Sequence, residues 1–340
     1  MIESYKHKKQ KIKIALLATG GTIAGKMQEK QKGKMWRYYE AGVLNVEILL
    51  ETLLKQSKAI KKIAQIEGFD IAHIDSANMS DEIWLKLHKK CEELQDRFDR
   101  IIITHGTDTM EESAIFLNLT LKKPFVMTGA MRAFDDKKSD AMTNLKNAVL
   151  LALNDNVMKR GSIITMNNKI FLASSIEKTH TSRLNAFSGV KIGSIKNAKI
   201  TLKSTKKAES SSHKKPYFRI SKLESLPKVD ILYTYSNDGS AVAAKALFEN
   251  GTKGIVVAGS GAGSIHEAQK EVLKDLLKKG LKVAVSSRVK SGFVAVSKDD
   301  ENLGFISAQD LNPQKARALL MLALTKTNDS KKIAEMFKKY

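Results

Sequence analysis

Short, uninterrupted apolar runs alternate along the chain with segments of helical periodicity. In the first half, the apolar runs are residues 12–18, 101–104, 125–128 and 162–166. Such runs, bounded by turn residues, are typical of parallel strands that are covered on both faces. The segments 81–95 and 140–153 place their apolar residues on one helical face. This alternation predicts an α/β domain with a mainly parallel sheet.

A polar segment near the middle of the chain predicts a domain boundary. Residues 206–226 are rich in Ser and Lys and carry Pro216, which is typical of a linker. They separate a larger first domain, residues 1–205, from a smaller second domain, residues 227–340. The alternation resumes after the linker with the strand patterns ILYT, GIVVAG and VAVS and with helical patterns at 241–249, 265–279 and from Pro313.

The chain is strongly basic, with 58 Lys and Arg against 36 Asp and Glu and a net charge of +22. Such an excess raises the affinity for polyanions. The basic residues are nevertheless spread over many predicted helix faces, and no aromatic residues interleave with them to stack on bases. Nucleic-acid binding is therefore the lesser hypothesis, and a role in solubility and electrostatic steering is favoured.

Three features bear on the cellular context. The apolar runs fall short of the roughly 18 residues that a membrane span requires, so no membrane association is expected. The basic N-terminus leads into IALLA without a small-residue cleavage pattern, which favours a cytoplasmic protein; a periplasmic one would need a signal peptide that was removed or lay upstream. The single cysteine, Cys91, rules out an intrachain disulfide, and its helical stripe with Trp84 and Leu87 predicts a buried position.

Three predicted strand ends carry unusual residues: ATGGT at 18–22, THGTDT at 104–109 and TGAM at 128–131. Ligands of open parallel sheets bind beyond the carboxyl ends of the strands. Glycines there let the backbone approach a ligand, and the N–H groups of such turns can hold a carboxylate or an oxyanion. The binding site is therefore predicted at this edge of the sheet.

Taken singly, the polar residues at these ends each have two interpretations. Thr22 follows a Gly-Gly turn and is a nucleophile only if a base removes its proton, and glycine pairs after strands are more often simple turns. Asp108 offers a carboxylate for a substrate ammonium, or else Asp108 or Thr109 caps a helix that begins at Glu111. His105 is better explained as structural than as a general base.

Nucleotide and metal sites find little support in the sequence. Neither GxxxxGK[ST] nor GxGxxG occurs at the first turn, and the best candidate for a nucleotide loop, GSGAG at 259–263, lacks the partner features. No HExxH or CxxC spacing indicates a metal site. We therefore expect neither a metal nor an organic cofactor.

Four blocks together resemble the bacterial L-asparaginase family over nearly the whole chain. They are ATGGTIAG at 18–25, ITHGTDTMEE at 103–112, GAMR at 129–132 and DLNPQKARALLMLALTKTND at 310–329. The chain resembles the type II tetrameric enzymes most, with some features of the cytosolic branch. The resemblance implies two α/β domains, a larger N-terminal one with a mainly parallel sheet and a smaller flavodoxin-like C-terminal one.

The resemblance also implies an activity and an assembly. Family members hydrolyse L-asparagine to L-aspartate and ammonia, and many accept L-glutamine more slowly. They are homotetramers, dimers of dimers, whose active sites lie between the N-terminal domain of one subunit and the C-terminal domain of its neighbour. The alternatives are a relaxed glutaminase-asparaginase, an amidase acting on a larger amide such as amidated transfer RNA, and a basic binding protein that keeps the fold without turnover.

Five residues match the catalytic positions of the family. By resemblance, Thr22 attacks the amide carbon and forms an acyl-enzyme that water then cleaves. Tyr39 matches a tyrosine on the mobile loop after it. The second catalytic group falls on Thr107, Asp108 and Lys178, where the lysine can relay a proton.

The segment between Thr22 and Tyr39 is longer than its family counterpart. Its glycine and polar content predicts a lid that closes over the substrate. Its lysines are Lys26, Lys30, Lys32 and Lys34.

The substrate-binding positions follow from the same resemblance. Asp108 would bind the substrate ammonium, and Ser76 its α-carboxylate. Backbone N–H groups near Gly21 and Thr107 would stabilise the oxyanion, and Ala130 would line the pocket.

Three positions depart from the family pattern. Ala77 stands where secreted members usually have glutamine, which removes a hydrogen bond worth about 1 kcal/mol from the substrate's polar end. Ser264 stands where strict asparaginases often carry asparagine, as in members with more glutaminase activity. The glutamate contributed by a neighbouring subunit aligns with Ser297, while Glu301, the candidate for this carboxylate, lies one turn of chain away.

Overall fold

The computed structural model describes residues 11–28, 39–203, 217–237 and 241–339. The predicted lid and linker residues that lie outside these ranges are Lys30, Lys32, Lys34 and 206–216. The chain forms two compact units, Met1–Lys222 and Leu223–Tyr340. Each unit has its own sheet and its own apolar core.

A mixed sheet organises the first unit. The strands described in this unit are β1 (Ile12–Gly20), β2 (Lys26–Met27), β3 (Tyr39–Glu40), β4 (Ala64–Ile74), β5 (Arg100–Thr104), β6 (Val126–Thr128), β7 (Ile163–Met166), β8 (Lys169–Leu172), β9 (Glu177–Lys178), β10 (Phe187–Ser188), β11 (Lys191–Lys196) and β12 (Lys199–Leu202). The large sheet has the order β12-β11-β8-β7-β6-β5-β1-β4, while β2 pairs with β3 and β9 with β10.

The parallel part of the sheet contains all four strands that the apolar runs predicted. β4, β1, β5, β6 and β7 are parallel neighbours, and β1, β5, β6 and β7 are almost entirely buried. The prediction of a mainly parallel sheet is confirmed for this part.

Two hairpins extend the sheet in antiparallel fashion. β7 turns into β8 through Asn167 and Asn168, and β11 turns into β12 through Asn197 and Ala198. All four turn residues have positive φ, between 47° and 62°, which is the backbone of the tight turns that match strand twist. These strands were not predicted, because an Asn-Asn pair is a weaker hairpin signal than Asn-Gly.

Helices cover the first sheet. The helices described in this unit are Val46–Gln56, Lys58–Ile63, Asp81–Leu94, Met110–Thr120, Ala141–Ala152 and Asp155–Met158. The two predicted helices are confirmed with ends shifted by one residue. Cys91 is fully buried in its helix, as predicted, and burial raises the pKa of its thiol well above the usual range.

The second unit is a smaller α/β domain with a parallel sheet. Its strands, adjacent in chain order, are β13 (Val229–Tyr233), β14 (Gly254–Gly259), β15 (Lys282–Ser287) and β16 (Phe305–Ser307). Its described helices are Ala241–Glu249, Glu267–Lys278, Lys298–Leu303, Pro313–Leu324 and Ser330–Lys339. The helix predicted from Pro313 is confirmed, and Asn312 caps it by accepting a hydrogen bond from the Lys315 N–H at 3.0 Å.

Alternation along the central strand β14 explains how this second core is divided. Ile255 and Val257 point into an apolar cluster with Leu273 of a covering helix. The Cβ position of Gly254 faces the other side of the sheet, because a Cβ there would lie 2.9 Å from Leu320 of the helix Pro313–Leu324.

Within the described ranges, no helix combines the length and apolarity needed to cross a membrane.

Candidate active site

The predicted strand ends meet at one edge of the first sheet. Ala18 of β1 is in register with Thr104 of β5, and Thr104 with Thr128 of β6. Since the three strands are parallel neighbours, the loops that follow them leave the sheet side by side. β4 flanks β1 on its other side, and the loop after β4 carries Ser76.

Two glycines let these loops touch through their backbones. Gly21 has φ +77°, and a Cβ on it would lie 2.3 Å from the Cα of Gly106. A Cβ on Gly106 would lie 2.5 Å from the Oγ of Ser76. Any side chain would force these loops apart. The contact brings the residues after each glycine, Thr22 and Thr107, together with Ser76.

The hydroxyl of Thr22 is buried against a tyrosine. Thr22 begins a short 3-10 turn, is 5% exposed, and its Oγ1 lies 2.7 Å from the phenol oxygen of Tyr39. Tyr39 is placed by the β2–β3 pairing, opposite Met27. Burial raises the pKa of Tyr39, the bond with Thr22 partly opposes this, and the carboxylates of Asp75 and Asp108 add to it. Tyr39 is therefore a neutral phenol at physiological pH.

Lys178 joins the two polar residues of the second loop. Its Nζ donates to Thr107 Oγ1 at 2.9 Å and forms an ion pair with Asp108. The Lys178 side chain is 16% exposed, whereas that of Asp108 is 58% exposed. Taken without its family match, Lys178 would be read as a solvated surface residue; the structure instead places it in this cluster.

Ser76 makes hydrogen bonds to the two residues that precede the helix Met110–Thr120. Its Oγ accepts the Asp108 N–H at 3.2 Å, and its carbonyl accepts the hydroxyl of Thr109 at 2.8 Å. The helix begins at Met110, with Thr109 at the capping position but without a side-chain capping bond. The capping interpretation of Asp108 and Thr109 is therefore wrong, because both side chains bond elsewhere.

One expectation about the oxyanion donors needs correction. The N–H of Gly21 donates to the carbonyl of Ile74 at 2.7 Å, so it is not available to an oxyanion. The reason is that β1 and β4 continue their contact beyond the regular ladder, where Gly20 pairs with Ile74. Thr22 and Thr107 are the neighbouring residues whose N–H groups remain as candidates.

Two other expected residues have contrasting environments. Ala130 is fully buried, whereas Ala77 is exposed and donates its N–H to Asp75 Oδ1 at 3.0 Å. His105 is fully buried, and its Nδ1 lies 2.7 Å from the carbonyl of Gly106, to which it must donate. Burial lowers the pKa of His105 to about 4, so it stays neutral at physiological pH. These are the features of a structural histidine.

Two buried carboxylates near the site escaped sequence reasoning. Asp140 accepts the N–H groups of Met131 at 3.1 Å and of Arg132 at 3.1 Å, and so holds the loop after β6. Glu111 accepts the N–H of Lys178 at 2.8 Å. In the sequence, Asp140 stands at the start of the apolar helical pattern 140–153, and Glu111 is only the predicted first residue of a helix.

Ser264 and Glu301 belong to the second unit. The GSGAG loop folds back on itself, with Ser260 and Ser264 exchanging backbone hydrogen bonds of 2.8 and 2.9 Å. A cavity of about 400 Å³ is lined by Ser264, Ser297 and Asp300, among other residues. Asp300 binds Lys270 Nζ at 2.7 Å and the Ser297 hydroxyl at 2.9 Å. Glu301 is exposed and lies outside the lining of this cavity.

The described ranges offer no cluster of three or more His, Cys, Asp or Glu side chains placed to hold a metal ion. The groups that meet at the sheet edge are instead two threonine hydroxyls, a phenol, a lysine and a carboxylate. Such a set can activate a hydroxyl, bind an amino acid's charged groups and move protons.

Comparisons with known proteins match both parts of the chain. A family model described as "Asparaginase, N-terminal" matches residues 13–209, and one described as "Glutaminase/Asparaginase C-terminal domain" matches residues 228–337.

The similarity to known proteins extends over almost the whole chain. The chain is 40% identical to "L-asparaginase 2" of Bacillus subtilis, over 99% of this chain and 89% of that protein. It is 36% identical to "Glutaminase-asparaginase" of Pseudomonas fluorescens biotype A, over 96% of this chain and 90% of that protein. The crystal structure of a probable cytoplasmic L-asparaginase from Campylobacter jejuni is similar with a TM-score of 0.90 and 53% identity, over 97% of this chain and 100% of that one.

Proposed function

This chain belongs to the asparaginase family, and on that premise we propose that it hydrolyses L-asparagine to L-aspartate and ammonia through an ester on Thr22. The observation that supports this proposal most strongly is the contact between the buried Thr22 hydroxyl and the Tyr39 phenol, whose oxygens lie 2.7 Å apart. It lies at the sheet edge where Thr107 and Lys178 also meet.

In the first half-reaction, Thr22 Oγ attacks the side-chain amide carbon. Because Tyr39 is a neutral phenol, it relays the proton: it accepts the Thr22 proton as it passes its own toward the departing nitrogen. The carbon–nitrogen bond breaks, ammonia leaves, and the aspartyl group remains as an ester of Thr22. The N–H groups of Thr22 and Thr107 stabilise the oxyanion in this proposal.

In the second half-reaction, water attacks the ester carbonyl. Thr107, held by Lys178 Nζ at 2.9 Å, orients this water and takes part in moving its proton. The ester bond breaks, the proton returns to the Thr22 oxygen, and L-aspartate is released. No step of this sequence requires a metal or an organic cofactor.

Substrate orientation follows from the charges at the site. The half-exposed carboxylate of Asp108 can accept the substrate ammonium while it holds Lys178. An ion pair this exposed adds little stability, so its value lies in geometry. The Ser76 hydroxyl binds the α-carboxylate, Ala130 bounds the pocket, and Ala77 leaves that end one side-chain amide short.

Loss of ammonia release in two threonine variants tests the mechanism. Thr22→Ala removes the nucleophile and should lower kcat at least about a thousandfold. Thr107→Val keeps the shape of the side chain and should also abolish most turnover. Thr201→Val, at an exposed threonine of β12, is the matched control and should leave ammonia release unchanged. Near-normal activity of either Thr22→Ala or Thr107→Val would contradict the proposed mechanism.

One ammonia assay with two substrates separates the remaining alternatives. We expect L-asparagine to be preferred, with measurable turnover of L-glutamine, because Ser264 is found in members with more glutaminase activity. Equal or better use of L-glutamine would identify a relaxed glutaminase-asparaginase. Absence of ammonia from both substrates would favour the amidase for a larger amide or the binding protein without turnover.

We further propose that the active form is a homotetramer in which the second unit completes a neighbouring copy's site. Exposed large apolar side chains of the second unit support a protein interface. They are Tyr233, Tyr235, Val242, Val289, Phe293 and Leu303. Light scattering should give four times the chain mass, and a monomer with full activity would contradict the proposal.

A cytoplasmic location is also proposed, because the similar Campylobacter jejuni protein is described as a probable cytoplasmic enzyme. The two domains are proposed to divide within residues 206–226. Measurement of ammonia release in cell fractions would check the location.

A further inference from the structure

We propose that Glu111 is a positioning residue for Lys178, an inference that rests on the function proposed above. The carboxylate of Glu111 accepts the main-chain N–H of Lys178 at 2.8 Å. It therefore acts on the backbone from which the lysine side chain extends.

The strand that carries Lys178 has little other support. β9 contains only Glu177 and Lys178, and it pairs with the equally short β10. The N–H of Thr179 donates to the carbonyl of Ala186 at 2.7 Å, on the β10 side. Alternate N–H groups of a strand point to opposite sides, so that of Lys178 points away from β10. On that side of β9, the Glu111 carboxylate accepts the hydrogen bond that a neighbouring strand would otherwise accept.

Glu111 is itself held in a rigid setting. It lies in the first turn of the helix Met110–Thr120, most of whose side chains are buried, and it is 7% exposed. A buried carboxylate is costly unless it is hydrogen-bonded, and the helix N-terminus reduces this cost. A carboxylate kept at such a position, and bound to the main-chain N–H of Lys178, can define the place of the β9 backbone.

The contacts of Lys178 restrain it at both ends. Glu111 fixes the main chain, while Thr107 and Asp108 bind the ammonium, and all three partners lie within five residues of one another. A lysine side chain has four rotatable bonds, so fixing both ends removes most of its freedom. Displacement of β9 by about 1 Å would break the 2.9 Å contact with Thr107, and such a shift can cost up to about a hundredfold in rate.

Two conservative variants of Glu111 separate the effect of side-chain length from the effect of charge. Glu111→Gln loses the charge but keeps an oxygen at the same distance from the Lys178 N–H. Glu111→Asp keeps the charge but is one methylene too short. We expect the glutamine variant to retain kcat within about threefold and the aspartate variant to lose tenfold to a hundredfold in kcat, with KM little changed. The reverse order would overturn the proposal.

A matched pair of controls lies on the same helix turn. Glu112→Gln and Glu112→Asp change the adjacent acidic residue, which is only partly buried, and should leave kcat unchanged. If they reproduce the pattern of the Glu111 variants, the effect belongs to the helix and the proposal fails.

A double-mutant cycle tests whether Glu111 acts through Lys178. In a Lys178→Met background, Glu111→Asp should cause no further loss of kcat, because the group that it positions is gone. An equal loss in both backgrounds would show that Glu111 acts elsewhere and would overturn the proposal.

Hydrogen exchange gives a readout that does not depend on activity. In the full-length protein, exchange of the peptide containing Lys178 should accelerate in Glu111→Asp and stay slow in Glu111→Gln. Unchanged protection in the aspartate variant would refute the positioning contact. This result stands even if Thr22→Ala proved active, so failure of the positioning role and failure of the proposed function can be told apart.

Discussion

At the scale of single residues, the HGTDTMEE segment gives a separate contact to nearly every side chain. Thr107 and Asp108 bind the ammonium of Lys178, Glu111 binds its main chain, and Thr109 binds the loop before the site. One stretch at the end of β5 therefore organises groups that come from distant parts of the chain. Its chemistry depends on atoms placed to within a fraction of an ångström.

The Tyr39 hydroxyl should matter for kcat rather than for binding. Tyr39→Phe removes the partner of Thr22 at 2.7 Å without changing the ring, so kcat should fall about a hundredfold or more while KM changes little. Because burial raises the pKa of Tyr39, the wild-type phenol should stay protonated, and its contribution should persist, up to pH 10 and beyond. Steady-state kinetics as a function of pH checks both statements. An unchanged kcat in Tyr39→Phe would remove Tyr39 from the mechanism.

Gly21 should tolerate no side chain. Gly21→Ala would combine an unfavourable backbone conformation with a Cβ 2.3 Å from Gly106, so we expect a loss of about 3 kcal/mol or more in the free energy of unfolding. Gly251 has a similar φ of +83° but open space around it, and Gly251→Ala should cost only about 1 kcal/mol. Urea unfolding of both variants measures the difference. Equal costs would show that backbone strain, not loop contact, explains Gly21.

At the scale of elements, the loop after β6 depends on a buried carboxylate. Besides two main-chain N–H groups, Asp140 accepts the side-chain amide of Asn144 at 2.9 Å. Burial raises the pKa of Asp140, and the bonds from Met131 and Arg132 oppose this. The same loop donates the N–H of Phe134 to the Gly25 carbonyl at 3.0 Å, next to β2. Asp140 thereby stabilises a loop that contacts the segment leading toward Tyr39.

Asp140→Ala should be clearly destabilising. It removes the acceptor of the buried Met131 N–H and the partly buried Arg132 N–H and one of two acceptors of the Asn144 amide, so we expect a loss of about 3 kcal/mol in the free energy of unfolding. The comparison is Asp136→Ala in the same loop, where Asp136 accepts one N–H from the exposed Lys138 and should cost about 1 kcal/mol or less. Denaturant unfolding monitored by circular dichroism measures both. Equal stability of the two variants would contradict this role of Asp140.

The parallel strands could be predicted because burial on both faces leaves an uninterrupted apolar run. β4 could not, because it lies at the sheet edge and alternates exposed charged residues such as Glu67 and Asp70 with partly buried ones. β8 follows a turn of two asparagines, which the sequence signals weakly. Local pattern therefore identifies elements whose environment is uniform, and misses those defined by pairing.

The candidate site shows the same division. Thr22, Thr107 and Asp108 follow predicted strands, so topology alone places them at one edge. Tyr39 and Lys178 lie in two-residue strands without a periodic pattern, and only the family resemblance indicated them. The contacts of Glu111 and Asp140 depend on how loops pack, which no spacing along the chain records.

At the scale of the whole molecule, buried histidines should make stability depend on acid. Burial lowers the pKa of His105 from 6.5 to about 4, and burial also lowers that of His88. As pH falls below 6.5, His105 is protonated in the unfolded chain but stays neutral in the folded protein until pH reaches about 4. The free energy of unfolding therefore decreases between these two pH values. For His105 the loss is on the order of 3 kcal/mol. Urea unfolding between pH 7 and 4 should show a smaller loss in His105→Gln, and equal losses in both proteins would contradict this assignment.

Thr22, and not Thr107, carries the acyl group in the proposed mechanism. Acid quenching during turnover of L-asparagine, followed by peptide mass spectrometry, identifies the residue that bears it. We expect an aspartyl ester on the peptide that contains Thr22, absent in Thr22→Val and still formed in Lys178→Met. An ester on the peptide that contains Thr107, or rapid ammonia release by Thr22→Val, would contradict it.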